Sequence, residues 1–321
     1  MTDKTTTSEM RPGAMRPLAV IGNVNVDIII GAADPWPRPG TEILVEHGEV
    51  RVGGAAGNTA LAWQAVNVPY QIAGNTGRDQ FGDWLRQSFP GHCDRWPVEE
   101  TATTFSVGVT HPDGERTFFT IPGHMPHLDF STVQRSLDIE TLRGGIALIC
   151  GCYLTDRLAA DYPELFAWLK QHEVEIALDT GWPPSGWTRE TRRRTRDWLP
   201  ECDHLLLNEV EITSLTETDT VETAMQALTS VLPTHATIVA KQGPAGAMGR
   251  RLRADGSVEA VTVAAPQVTP VDTIGAGDVF NAGYLAAAAQ RLDLRSCVAA
   301  GVGIASRAVS TLPRRYDVAA A

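Results

Sequence analysis

Residues 271–292 read VDTIGAGDVFNAGYLAAAAQRL. The second half has the composition of a helix, with alanines, a leucine and no proline. The first half does not. Gly275, Ala276 and Gly277 are small residues where glycine costs backbone entropy, and Asp278 follows at once. One explanation is ordinary: glycine suits turns, and a carboxylate in the first helical turn gains roughly 0.3–1 kcal/mol from the macrodipole. The other is chemical. Small residues let a ligand approach the backbone, and the free N–H groups of a helix start hold an anion, usually a phosphate. Asp278 would then stand beside that anion, placed to take a proton from an attacking hydroxyl.

Working outward, the chain alternates strand and helix. PLAVIGNVNVDIII (17–30) reads as one apolar strand-like run, and GAAGNTALAWQAV (54–66) has helical spacing. IALICG, VEIALDT, HLLLNEVE and ATIVAKQG are strands, each of the first three followed by a helical stretch, the last of these near 221–232. ATIVAKQG leads into a hairpin-like segment and then into 271–292. Such alternation predicts an α/β fold with a mostly parallel sheet and helices on both faces. Two segments, 31–50 and 101–121, alternate apolar with polar instead, the second around the turn signal PDG. They are expected to pair into a small sheet outside the main body, able to close over a site and exclude water. Parallel sheets bind ligands at the carboxyl ends of their strands, which is where the glycine clusters fall.

The 321 residues can bury a full core, and 43% hydrophobic with 20% charged residues is ordinary for a folded enzyme. The formal net charge of −11 and the lack of a basic patch interleaved with aromatics argue against nucleic-acid binding. The Arg189–Arg196 cluster reads as a solvated helix face. Five cysteines, an odd number, suggest reduced thiols, and Cys150 and Cys152 are expected on the same side of a buried strand. Residues 1–15 are polar, read as a disordered tail, and lack a signal-peptide core. No apolar run nears the ~20 residues of a membrane span, so a cytoplasmic protein is expected.

Several familiar motifs are missing: the Walker phosphate loop, a complete GxGxxG, the protein-kinase HRD and DFG signatures, and HExxH. Instead, polar-glycine clusters follow the strands. NVNVD carries Asn25 and Asp27; VGGAAGN carries Gly53, Gly54 and Asn58; GRDQFG, NEVE and KQGPAG follow in that order. In this order and spacing, with DTIGAGD as the specific element, the chain resembles the PfkB (ribokinase-like) family of carbohydrate and nucleoside kinases over about residues 16–312.

The resemblance implies a ribokinase-like three-layer α/β/α sandwich over 16–321 with a small β-sheet lid, and an ATP-dependent phosphotransferase. It makes Asp278 the general base and Gly275, Ala276 and Gly277 the anion hole, with the helix end expected to keep Asp278 ionised. Asp27, Asn25, Gly53, Gly54 and Asn58 match sugar-binding positions. Asn208 and Glu211 match a motif that works near Mg²⁺, although Asn and Glu at this spacing also make a capping box. Lys241, Gly243, Gly246 and Thr273 match nucleotide-lining positions, and Lys241 also reads as a solvated strand end. Asp272 and Ile274 match positions that hold a monovalent cation such as K⁺ in some relatives. Here the later segment SRAVSTLPRRYD departs from the glycine-containing stretch those relatives carry.

His124 and His127 have a spacing open to a metal but read better as loop residues near the lid. The substrate is expected to be a small sugar, specified by lid side chains such as Arg116, Phe118 and His124. A nucleoside is the alternative, and a catalytically silent sugar-binding regulatory protein is the alternative of another class. An exposed apolar lid face would suit a homodimer.

Overall fold

The computed structural model describes residues 15–112 and 116–316. The expected tail at 1–15 therefore lies outside the described residues except for Met15, as do Asp113 and Gly114 of the PDG turn. In chain order the described strands are β1 (Leu18–Ile21), β2 (Asn25–Gly31), β3 (His47–Gly53), β4 (Gln71–Ala73), β5 (Thr76–Gly77), β6 (Val98–Glu99), β7 (Phe105–Thr110) and β8 (Arg116–Ile121). They continue as β9 (Ile146–Cys150), β10 (Glu175–Asp179), β11 (His204–Asn208), β12 (Thr237–Lys241), β13 (Ala247–Leu252) and β14 (Val258–Val263). The α-helices are α1 (Ala55–Ala65), α2 (Gln80–Ser88), α3 (Phe130–Ser136), α4 (Ile139–Leu142), α5 (Asp156–Ala160) and α6 (Tyr162–Gln171), followed by α7 (Arg189–Trp198), α8 (Glu209–Thr216), α9 (Val221–Thr229), α10 (Ala276–Ala289) and α11 (Leu294–Val309).

Eight strands form the main sheet in the order β14-β13-β12-β11-β10-β9-β1-β4. The six from β12 to β4 run parallel, and the β12–β13–β14 meander closes the other edge antiparallel. The parallel strands are continuous apolar runs because both faces are covered. In β1 and β9, Leu18, Val20, Ile146 and Leu148 face a core shared with α1, α2, α10 and α11. Ala19, Ile21, Ala147 and Ile149 face the opposite core, shared with α3 to α9. The result is helix, sheet, helix in three layers.

A second sheet of four strands, β3-β2-β7-β8, stands apart. β2 pairs antiparallel with β3 and parallel with β7. The apolar run 17–30 is thus two strands in two sheets. The break falls at Gly22, where the chain crosses β9 so closely that a Cβ would lie 2.3 Å from the Cys150 carbonyl oxygen. The expected sheet segment 31–50 is also displaced. Residues 32–46 carry no strand despite the alternation in TEILVEH, and pairing resumes only at His47. Three prolines within 35–39 remove backbone donors from that stretch. The helical stretch near 221–232 ends as α9 at Thr229.

Cys150 and Cys152 do not share a face. Cys150 packs in the first core and Cys152 in the second, because β9 ends at Cys150 and Gly151, at a φ of 66°, reverses the chain. All five cysteines are buried and unpaired.

Candidate active site

The carboxyl ends of the parallel strands converge with the starts of α1, α8 and α10. β10 ends in Asp179, β11 in Asn208 and β12 in Lys241. β1 runs out through Asn23 into β2, which carries Asn25 and Asp27.

Gly275 caps α10 in the left-handed region at a φ of 72°, so the turn needs glycine for its backbone alone. A Cβ there would also sit 2.7 Å from the Asn58 amide nitrogen, which donates to Asp278 Oδ2 at 2.8 Å. The Thr59 hydroxyl donates to the Asp278 carbonyl at 3.2 Å. Thus α1 fixes the first turn of α10, and Asp278 has one carboxylate oxygen held and its surface partly open. The N–H of Ala276 donates to Thr273 O, whereas among the described residues the only side chain near the vacant Cβ position of Gly277 is Lys241, with Nζ 3.3 Å away. An ammonium therefore stands beside the unshielded helix start.

Lys241 is not a solvated strand end. It is 8% exposed, and Nζ donates to Asp179 Oδ2 at 2.7 Å and to Asn281 Oδ1 at 3.2 Å. The Asn281 amide closes the triangle by donating to the same Asp179 oxygen at 2.5 Å. Burial disfavours the Lys241 charge, but Asp179 and Glu211 outweigh it and hold its pKa above the ordinary value. Burial and the Asp179 charge push the Asp278 carboxyl up to about 6 despite its place at a helix start. The same two causes push Glu211 up to about 7.

Asn208 and Glu211 form the complete capping box of α8. Asn208 Oδ1 accepts from the Glu211 N–H, and Glu211 Oε2 from the Asn208 N–H, each at 2.8 Å. That engages one oxygen of each side chain. No group of three or more His, Cys, Asp or Glu side chains suited to a metal gathers among the described residues. A Mg²⁺ ion here would take most of its shell from water and ligand oxygens, which suits that ion.

Asp27 and Asn25 lie where β2 leaves the main body. Asn25 donates to Asp27 Oδ1 at 2.8 Å, and burial raises the Asp27 carboxyl while Arg51 opposes the shift. The VGGAAGN glycines answer to crowding. A Cβ on Gly53 would lie 2.2 Å from the Asp27 carboxyl carbon, and one on Gly54, at a φ of 82°, 2.4 Å from the Asn23 carbonyl oxygen. Gly246, at a φ of 98°, meets the Val263 carbonyl, while Gly243 faces open space.

Two expectations are corrected. His124 is fully buried; its Nδ1 accepts from the Thr104 N–H at 2.9 Å and its Nε2 lies 3.1 Å from the Val24 carbonyl. Burial holds its pKa down to about 4, so it is a neutral strut in the loop after β8, with both ring nitrogens engaged by the backbone. His127 is half-buried in the same short turn. At Asp272 and Ile274 the structure holds a guanidinium. Arg314 donates one Nη to Asp272 Oδ2 and to the Ile274 carbonyl, both at 2.6 Å. Arg51 also pairs with Asp272, and Arg116 approaches it at 3.6 Å while donating to the Thr273 hydroxyl at 3.0 Å. These residues do not fit a K⁺ ion.

Sequence reasoning missed Asp179, Asn281, Asn23, Arg51 and Arg314. Asp179 had a signal, a carboxylate closing the buried strand VEIALD, and Asn281 lies one helical turn after Asp278. Arg314 had only the departure of its segment SRAVSTLPRRYD, and Arg51 had none, because their partner Asp272 is distant in sequence.

The pattern of the pfkB family carbohydrate kinase matches residues 15–314. The chain belongs to the pfkB family of carbohydrate kinases. It is a phosphotransferase of the kind that acts on hydroxyl groups. The kinase is 24% identical over 314 residues to a ribokinase of Bacillus subtilis, covering 92% of each chain. It is likewise 24% identical to a ribokinase of Arabidopsis thaliana, over 94% of this chain and 80% of that one. Its fold is similar to that of Arabidopsis ribokinase complexed with ribose and ATP, with a TM-score of 0.74 at 21% identity over 93% and 94% of the two chains. It is also similar to adenosine kinase from Sinorhizobium meliloti, with a TM-score of 0.78 at 21% identity over 95% and 97%.

Proposed function

We propose that the enzyme transfers the γ-phosphoryl group of ATP to a hydroxymethyl group of a small carbohydrate. The observation that carries this reading is the first turn of α10: a carboxylate held by Asn58, next to small-residue backbone with the Lys241 ammonium beside it. Phosphoryl transfer demands little covalent chemistry of the protein beyond positioning and charge stabilisation. Asp278 accepts the hydroxyl proton as the oxygen attacks. The free amides of the 275–277 turn, Gly277 foremost since Ala276 already donates to Thr273, and Lys241 stabilise charge on the transferring group. Asp27 and Asn25, with Asn58, orient the sugar hydroxyls through paired hydrogen bonds. Gly243, Gly246 and Thr273 line the nucleotide. Glu211, with Asn208, would hold Mg²⁺ through water, and the bound ion would neutralise the ATP phosphates. The small sheet acts as a lid that excludes water from the reacting groups. ATP use and five free thiols suit a cytoplasmic enzyme.

The test is ADP release from ATP and Mg²⁺ against hexoses, pentoses, sugar acids, sugar phosphates and nucleosides, with Asp278→Asn beside the parent. A strong sugar hit that falls by about 10²–10⁴ in the variant is expected, the usual contribution of a positioned base. A nucleoside hit would replace the sugar reading. A blank panel with ligand binding still seen by thermal shift would favour a silent binding protein.

A further inference from the structure

The turn that leads into α10 carries a permanent positive charge of its own. Arg314 reaches it from the segment after α11, and that segment is tied down. The Val271 and Asp272 N–H groups donate to the Val309 carbonyl at 2.7 and 3.1 Å. The Arg315 N–H donates to the Thr311 hydroxyl, which donates to the Arg307 carbonyl. The Arg314 side chain is 14% exposed, and a single nitrogen bridges the Asp272 carboxylate and the Ile274 carbonyl.

A monovalent cation needs several free oxygens around one point. Here each candidate is engaged. Ile274 O and Asp272 Oδ2 accept from Arg314, Oδ2 also pairs with Arg51, Oδ1 accepts from the Ile274 N–H at 3.0 Å, and Val309 O accepts two backbone N–H groups. Burial alone would raise the Asp272 carboxyl, but the Arg51 hydrogen bond and the Arg314 charge hold it below the ordinary value. A metal ion entering would face Arg314, Arg51 and Arg116 at once.

We propose that Arg314 is a built-in cation: its guanidinium does for the 272–275 turn what a dissociable monovalent ion would do, and the enzyme needs none. The charge fixes the Ile274 carbonyl and the Asp272 carboxylate together, and so fixes the direction of the amides that follow. Arginine suits this task because it stays protonated at any working pH and one of its nitrogens carries hydrogens for both acceptors.

The inference rests on the reading of 275–277 as the phosphate site, so its test has an arm independent of turnover. Turnover and melting temperature are measured in potassium, sodium and tetramethylammonium chloride at equal ionic strength, for the parent, Arg314→Ala and Arg314→Lys. The parent should show no ion-specific change in either quantity. Arg314→Ala should lose about tenfold or more in turnover, within the usual range of site coupling. Potassium or guanidinium ion should restore part of it and raise the variant's melting temperature; Arg314→Lys should keep most of the activity. Stimulation or stabilisation of the parent by potassium alone overturns the proposal. So does an Arg314→Ala defect that neither cation relieves and Arg314→Lys shares. If no acceptor is found and turnover is silent, the melting arm still decides the matter, which separates failure of this inference from failure of the kinase reading.

Discussion

At the residue scale the decisive quantity is the proton affinity of Asp278. Its carboxyl is pushed up to about 6 by burial and by the Asp179 charge, while the Asn58 hydrogen bond opposes the shift. A base of that strength remains ionised at neutral pH yet binds a proton better than a free aspartate, which suits general-base work. kcat/KM should therefore fall as pH drops through about 6, giving an acid limb that belongs to Asp278 together with the raised Glu211 carboxyl rather than to one group. A flat profile down to about pH 5 would contradict this assignment. Linkage gives a second readout. A carboxyl with a raised folded-state pKa contributes stability below its unfolded value that is lost as pH rises through the folded one. Asp278→Asn removes that loss, so its melting temperature relative to the parent should improve between about pH 5 and pH 8.

At the element scale, two glycines of one turn should answer differently to the same substitution. Gly275→Ala places a side chain at a φ of 72° and against the Asn58 amide that holds Asp278. It should cost about 1–2 kcal/mol from the backbone alone, and turnover with it. Gly277 lies within α10, where alanine is favoured over glycine by about 1 kcal/mol, and its Cβ would meet only the tip of Lys241. Gly277→Ala should melt no lower than the parent yet lose turnover, because the methyl group occupies the approach to the amides. Thermal melts and initial rates on the pair check both. The same elements show what sequence made visible. Strand-helix alternation, the helix after GAGD and the Asn208–Glu211 cap follow from local propensity, so their patterns were legible. The split of the 17–30 run was not, because it depends on β9 passing Gly22. Arg314 and Arg51 reach Asp272 across 42 and 221 residues, and no local pattern encodes such a meeting.

At the scale of the whole molecule, the small sheet meets the α10 turn through two arginines, Arg51 from β3 and Arg116 from β8. Its edge strand β8 leaves Phe119 and Ile121, which share one face, about half exposed, at 55% and 48%. Such a surface suits a second copy of the chain. Sedimentation should find a dimer for the parent, and Phe119→Lys should shift it toward monomer while leaving the melting temperature nearly unchanged. A parent that sediments as a monomer at every concentration would remove the dimer from this picture.

The parallel pairing of β2 with β7 has a further consequence, in the order of folding. The two strands are neighbours in space, yet β2 ends at Gly31 and β7 begins at Phe105. The chain between them includes α1, α2 and a strand of the main sheet. Closing so long a loop precedes any gain from the pairing, which makes such contacts slow to form. Within the small sheet this pairing should therefore follow the more local β2–β3 and β7–β8 pairings, and a refolding chain should acquire its helices before it can bind its substrate.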